Sequence, residues 1–119
     1  MTAQQRLNEH LGQWDATLRN YRVVAQEEAE VKVLLKRRRS VVIVAARRNE
    51  KAAEWLADAL ADEDADAHEL ALRYARASAE LAYIKGRLAW AQTTADGLRS
   101  EVSTERTESR LYAAERSPS

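Results

Sequence analysis

Apolar residues recur in steps of three and four along the second half of the chain. Ala67, Leu70, Tyr74, Ala77, Leu81, Ile84, Leu88, Ala91, Ala95, Leu98 and Val102 form an unbroken seven-residue repeat. That spacing puts all of them on one seam of an α-helix, the pattern by which one helix meets another. Nearer the N-terminus, Leu7, Leu11, Trp14, Leu18, Tyr21 and Ala25 keep the same spacing, behind a Thr2/Gln5 pair spaced as a capping box. The next positions of that repeat fall on Glu28 and Lys32, around the polar stretch Gln26 to Glu30. A bend or a phase shift is predicted there.

From Val31 the apolar positions resume at Leu34, Leu35, Val41, Val42, Ala45, Ala52, Trp55, Leu56, Ala59 and Leu60, which predicts a helix whose contact stripe has rotated. The run Val41 to Val44 is β-branched throughout and favours extended structure by propensity. No second strand-like run exists to pair with it, so helix is the reading. The acidic cluster Asp62 to Asp66 marks a turn and supplies an N-cap for the seam that follows.

The chain is therefore expected to be a single all-α domain, 1–119. Its frame is a long antiparallel, coiled-coil-like hairpin of 31–61 against 66–102. Residues 1–25 form an N-terminal helical segment, a third helix or arm, and 103–119 a polar extension with a frayed end. Folding the chain about residue 64 sets Leu56 near Leu72, Val42 near Trp90 and Val31 near Leu98. The N-terminal seam then lies opposite polar sequence. It either folds back or pairs with another copy, which makes Leu7, Leu11, Trp14, Leu18 and Tyr21 the expected oligomerisation residues of a homodimer. Leu70, Tyr74, Leu81, Ile84, Leu88, Leu98 and Val102 are the expected helix-packing seam. A small-residue stripe at Ala71, Ala75, Ala82 and Ala89 predicts further helical neighbours in a bundle formed by dimerisation.

Three glycines, one proline and no phenylalanine suit long helices with few turns. With no cysteine, disulfides and thiolate chemistry are excluded. No apolar leader follows Met1, and the longest apolar run, Val41 to Ala46, falls far short of the roughly twenty residues that span a bilayer. A cytoplasmic, non-membrane protein is expected.

Nineteen basic and nineteen acidic residues cancel, but they are segregated. Between Lys32 and Lys51 eight bases face the single acid Glu50, and between Ala52 and Leu70 there are seven acids and no base. Lys36, Arg37, Arg38, Arg39, Arg47 and Arg48 are a candidate patch for nucleic acid or an acidic partner, because guanidinium groups pair bidentately with phosphate and carboxylate. The alternatives are a solvated face, or charge complementarity between the basic middle of one copy and the acidic tip of another. Tyr83 and Trp90, seven residues apart, are a candidate apolar docking patch.

Catalytic chemistry finds no footing. No nucleophile is spaced with a base, no glycine-rich phosphate loop occurs, and the acidic tip lacks the glycine and distal glutamate of a calcium loop. His10 and His68 stand alone among polar neighbours and read as surface histidines. No enzyme activity, cofactor or metal is expected.

The stretch Leu88-Ala-Trp-Ala-Gln92, followed by Asp96-Gly-Leu-Arg-Ser-Glu-Val-Ser-Thr-Glu-Arg106, resembles the ends of small arginine- and alanine-rich helical proteins of actinobacterial phages. The resemblance covers the last third to half of the chain and transfers no functional residue. It implies a phage origin, the host cytoplasm as location, and an accessory, non-enzymatic role through protein–protein contacts with host or recombination machinery. Nucleic-acid binding through 36–48 and a structural or scaffolding virion coiled coil are the alternatives.

Overall fold

The computed structural model describes residues 1–116. It contains three helices, α1 (Ala3–Asn49), α2 (Glu54–Glu63) and α3 (Ala65–Arg116), and no strand among the described residues. The all-α expectation holds, and the run Val41 to Val44 is helical.

Local chemistry sets each boundary. At the start of α1, the Thr2 N–H donates to Gln5 Oε1 at 2.8 Å and the Gln5 N–H to Thr2 Oγ1 at 3.1 Å, the reciprocal bonds of a capping box. Glu105 of α3 also accepts from the Ala3 N–H at 3.4 Å. At the other end, Arg47 and Arg48 occupy the last turn, where cations favour the negative pole of the helix. The chain reverses at 50–53: Lys51 adopts a φ of 51°, and the Ala52 N–H returns to the Ala46 carbonyl at 3.1 Å. α2 then lays Ala57 and Ala61 inward. Asp64 separates α2 from α3 with an extended backbone and accepts from the Ala67 N–H at 2.9 Å, an N-cap bond.

The reversal therefore lies at 50–53, not at 61–66, where the chain only kinks between α2 and α3. Residues 1–25 are not a separate third helix or arm. They open α1, which runs without a break through 26–30. The polar extension is helical as far as Arg116, and the fraying expected at Ser117 to Ser119 lies outside the described residues.

The chain falls into two units: Met1–Asn20 with the chain from Ile84 onward, and Tyr21–Tyr83. In the first, α1 and α3 run antiparallel. Ala3, Leu7 and Val102 form a buried cluster with Leu11 and Leu98 against it, and Arg6 pairs with Glu101 at 2.7 Å. His10, only 8% exposed, donates from Nε2 to the Ala91 carbonyl at 2.8 Å, and its ring meets Trp90 edge-on at 5.9 Å. His10 is thus a seam residue rather than a surface histidine. In the second unit, α1 packs with α2 and the first part of α3, and Val31, Ala46, Ala57, Ala61, Ala67, Ala77 and Leu81 are buried.

The inward stripe of α1 explains why its seam looked interrupted. Ala3, Leu7, His10, Trp14, Thr17, Tyr21, Val24, Glu28, Val31, Leu35, Arg38, Val42 and Ala46 are all buried or half-buried. They follow one another in steps of three and four, so no phase shift occurs. Following apolar residues alone leads from Trp14 to Leu18 and Ala25, whereas the true seam passes through Thr17 and Val24. Leu18 is exposed. On α3, the eleven repeat positions from Ala67 to Val102 are all buried or half-buried, while Ala75, Ala82 and Ala89 face solvent and Ala71 is half-buried.

Three substitutions probe this frame by urea unfolding. Lys51→Gly relieves a left-handed backbone and is expected to add about 0.5–1 kcal/mol, the cost of a side chain there less the entropy of glycine. Gly86→Ala, where an added methyl group meets nothing within 4 Å, is expected to add up to about 1 kcal/mol through helix propensity. His10→Ala is expected to remove about 1–2 kcal/mol by deleting a buried donor and its ring contact.

Candidate interaction surfaces

The basic middle and the acidic tip meet within one chain. Arg38, on the inward stripe of α1, donates from Nε to Asp64 Oδ2 at 2.8 Å and from Nη2 to Asp64 Oδ1 at 2.9 Å, a bidentate fork, with Asp66 Oδ2 at 3.6 Å. Arg39 pairs with Asp62. The Arg38 bonds, and after them the Ala67 N–H, hold the Asp64 carboxyl down to about 2, from 3.8. The same carboxylate raises the Arg38 guanidinium.

Two arginines of the candidate nucleic-acid patch are thereby engaged inside the fold. Arg38 and Arg39 are half-buried, and Lys36, Arg37, Arg47 and Arg48 are exposed. Their positions put them on different sides of α1, with Arg37 and Arg48 sharing the outward face. Complementarity between the basic middle and the acidic tip, an alternative weighed above as a contact between copies, operates within one chain.

The expected oligomerisation residues are also placed otherwise. Leu7 is buried, Leu11 and Trp14 are half-buried in the first unit, Leu18 is exposed, and Tyr21 is half-buried in the second unit. The dimer contact expected of them rests on an unpaired seam, whereas Leu7 and Leu11 have partners on α3. Leu70, Tyr74 and Leu81 line the second unit, and Ile84, Leu88, Leu98 and Val102 the first. Tyr83 and Trp90 are both exposed but belong to different units, with Trp90 set against His10.

Two surfaces escaped the sequence reading. The first is a second seven-residue repeat on α1: Val23, Glu27, Glu30, Leu34, Arg37, Val41, Val44 and Arg48, every one of them exposed. It lies roughly 120° around the helix from the inward stripe. Leu34 is 42%, Val41 53% and Val44 47% exposed. Ala29, Glu30, Val33 and Leu34 line one shallow hollow on this side, and Arg37, Val41, Val44 and Arg48 line another with Ser40, Ala45 and Asn49. The signal was present in the spacing but obscured, because apolar and charged residues alternate along it.

The second surface is a groove of about 370 Å³ in the first unit, over Leu7 and Val102. Arg99, Arg106 and Arg110 line it with Gln4, Ser103 and Thr107. Steps of seven and four set the three arginines on one face of α3, a spacing legible in sequence once 103–110 is known to be helical.

His68 is exposed, and its N–H donates to the Asp64 carbonyl at 2.9 Å. Among the described residues no three His, Asp or Glu side chains group closely enough to hold a metal ion, and no helix is long and apolar enough to cross a membrane. No protein-family model, curated protein or solved structure matches the chain.

The Arg38–Asp64 fork carries a pH dependence of defined sign. An Asp64 carboxyl near 2 when folded and near its ordinary value when unfolded stabilises the fold fully above about pH 4, and this contribution is lost as pH falls to about 2. Asp64→Asn is expected to lower the melting temperature at pH 7 and to narrow its gap to the parent protein between pH 4 and 2. Arg38→Ala is expected to lower the melting temperature more than Arg47→Ala, whose side chain is exposed. Thermal melts across that pH range check both.

Proposed function

We propose that the protein is a non-enzymatic binding protein whose outward seam on α1 receives another helix. The observation that supports this most directly is the row Leu34, Val41 and Val44, about half exposed at seven-residue-repeat positions between Glu30 and Arg48. An apolar row at this spacing is what a partner helix recognises, and flanking charges set its orientation. Leaving such a row in water has no folding rationale, since the inward stripe already supplies the intramolecular contacts of α1. The resemblance of 88–106 to actinobacterial phage proteins supports an accessory role in the cytoplasm of an infected host.

A photo-crosslinking residue at Ser40, beside the seam, is expected to yield protein adducts in cells, and one at Ser100 in the first unit is not. The adducts are expected to vanish when Leu34→Glu and Val44→Glu are added. Adducts that survive those substitutions contradict the reading.

The groove lined by Arg99, Arg106 and Arg110 favours a second reading, attachment to a nucleic-acid backbone. It predicts oligonucleotide binding at about 50 mM salt that weakens steeply as salt rises and is lost in Arg106→Glu/Arg110→Glu. Fluorescence anisotropy measures this, and the absence of binding at low salt removes the reading.

A further inference from the structure

The outward seam has opposite charges along its length, with Glu27 and Glu30 toward one end and Arg37 and Arg48 toward the other. Resting on the reading of this seam as a helix-binding surface, we infer that its occupant is a second copy of the same seam, running antiparallel. Centred near residue 39, that pairing sets Glu30 opposite Arg48 of the second copy, Leu34 opposite Val44, and Arg37 opposite Val41. A two-fold axis repeats each contact.

Three features select this arrangement. The repeat assigns Leu34, Val41 and Arg48 to one class of seam position and Glu30, Arg37 and Val44 to the other, and antiparallel helices pair one class with the other in every layer. A parallel pairing stacks Glu30 on Glu30 and Arg48 on Arg48, which is repulsive. Sliding the antiparallel pair by one repeat toward the N-terminus sets Glu30 against Val41 and Leu34 against Arg37, and sliding it the other way sets Arg37 against Arg48. The register two repeats toward the N-terminus pairs Glu27 with Arg37 and Val23 with Val41 but sets Glu30 against Leu34. The register centred near residue 39 opposes no carboxylate to an apolar residue and lays the aliphatic stem of Arg37 along Val41. The contact ends where α1 does, at Asn49. Its length from Glu30 to Arg48 is about 27 Å, short enough that association depends on concentration in an accessible range.

Sedimentation velocity of the full chain from about 1 μM to 1 mM tests the inference. The parent protein is expected to pass from monomer to dimer. Glu30→Arg alone and Arg48→Glu alone are each expected to raise the dissociation constant at least about tenfold, and the double exchange to restore it to within about threefold. Leu34→Glu/Val44→Glu is expected to abolish the dimer, and far-UV melting curves establish that each variant folds. A chain that stays monomeric, a dimer indifferent to the single charge reversals, or a double exchange that fails to restore association overturns the inference. If the chain is monomeric yet Ser40 still yields seam-dependent adducts with a different protein, helix binding stands and self-pairing alone falls.

Discussion

Asp64 does three things at once. It ends α2, caps α3 through the Ala67 N–H, and takes both forks of the Arg38 guanidinium. Arg38 sits on the inward stripe of α1, and its bidentate pairing with Asp64 ties the rotation of α1 in this unit to the junction between α2 and α3. That rotation decides which residues of α1 face inward. Val31, Leu35 and Val42 do, and by the period of the helix Leu34, Arg37, Val41 and Val44 then cannot. The Arg38–Asp64 pair, together with the buried Val31 and Ala46, thus fixes which face of α1 is left outside.

The interior that results is thin. Alanine supplies many of its fully buried positions, and Val31 is the largest side chain with almost no exposure. Small residues let helices approach closely, but they remove little apolar surface from water, which leaves polar contacts to fix register. His10 bonding the Ala91 carbonyl, Arg6 bonding Glu101 and the Ala3 N–H bonding Glu105 do this in the first unit. The Arg38 and Arg39 pairs do it in the second. Meanwhile larger aliphatic side chains, Val23, Val33, Leu34, Val41 and Val44, stay on the outside of α1. This distribution, with valine and leucine on the outer face of α1 and alanine at many buried positions, is what supports the proposal of an outside partner for that face.

Much of this was legible in the amino-acid order. The eleven-position repeat on α3 names its inward face residue by residue, and the Thr2/Gln5 spacing names the start of α1. What could not be read were the positions where a polar residue occupies a seam. His10, Thr17, Glu28 and Arg38 all belong to the inward stripe, His10 and Arg38 through contacts visible only with Ala91 and Asp64 in place, and passing over the four creates an apparent break near residue 28. The position of the reversal is hidden for a related reason. Glu50 to Ala53 contains neither glycine nor proline, so the left-handed Lys51 left no mark, while the acidic cluster at 62–66 carried every sign of a turn and produced only a kink. Once the reversal moves to 50–53, the N-terminal seam acquires a partner on α3 and ceases to argue for a dimer. The outward seam, hidden by the charges interspersed along it, is the surface we propose for that role.

A chain with no cysteine accepts single spin labels at chosen sites, and distances between identical labels measure the arrangement of two α1 helices directly. Ala29, Lys36, Ser40 and Arg47 are exposed and flank the outward seam on one side. For antiparallel seams centred near residue 39, the separation is shortest around Lys36 and Ser40 and grows toward Ala29 and Arg47 by about 3 Å per residue. Equal separations at all four sites, or no intermolecular distance at millimolar concentration, would contradict the account.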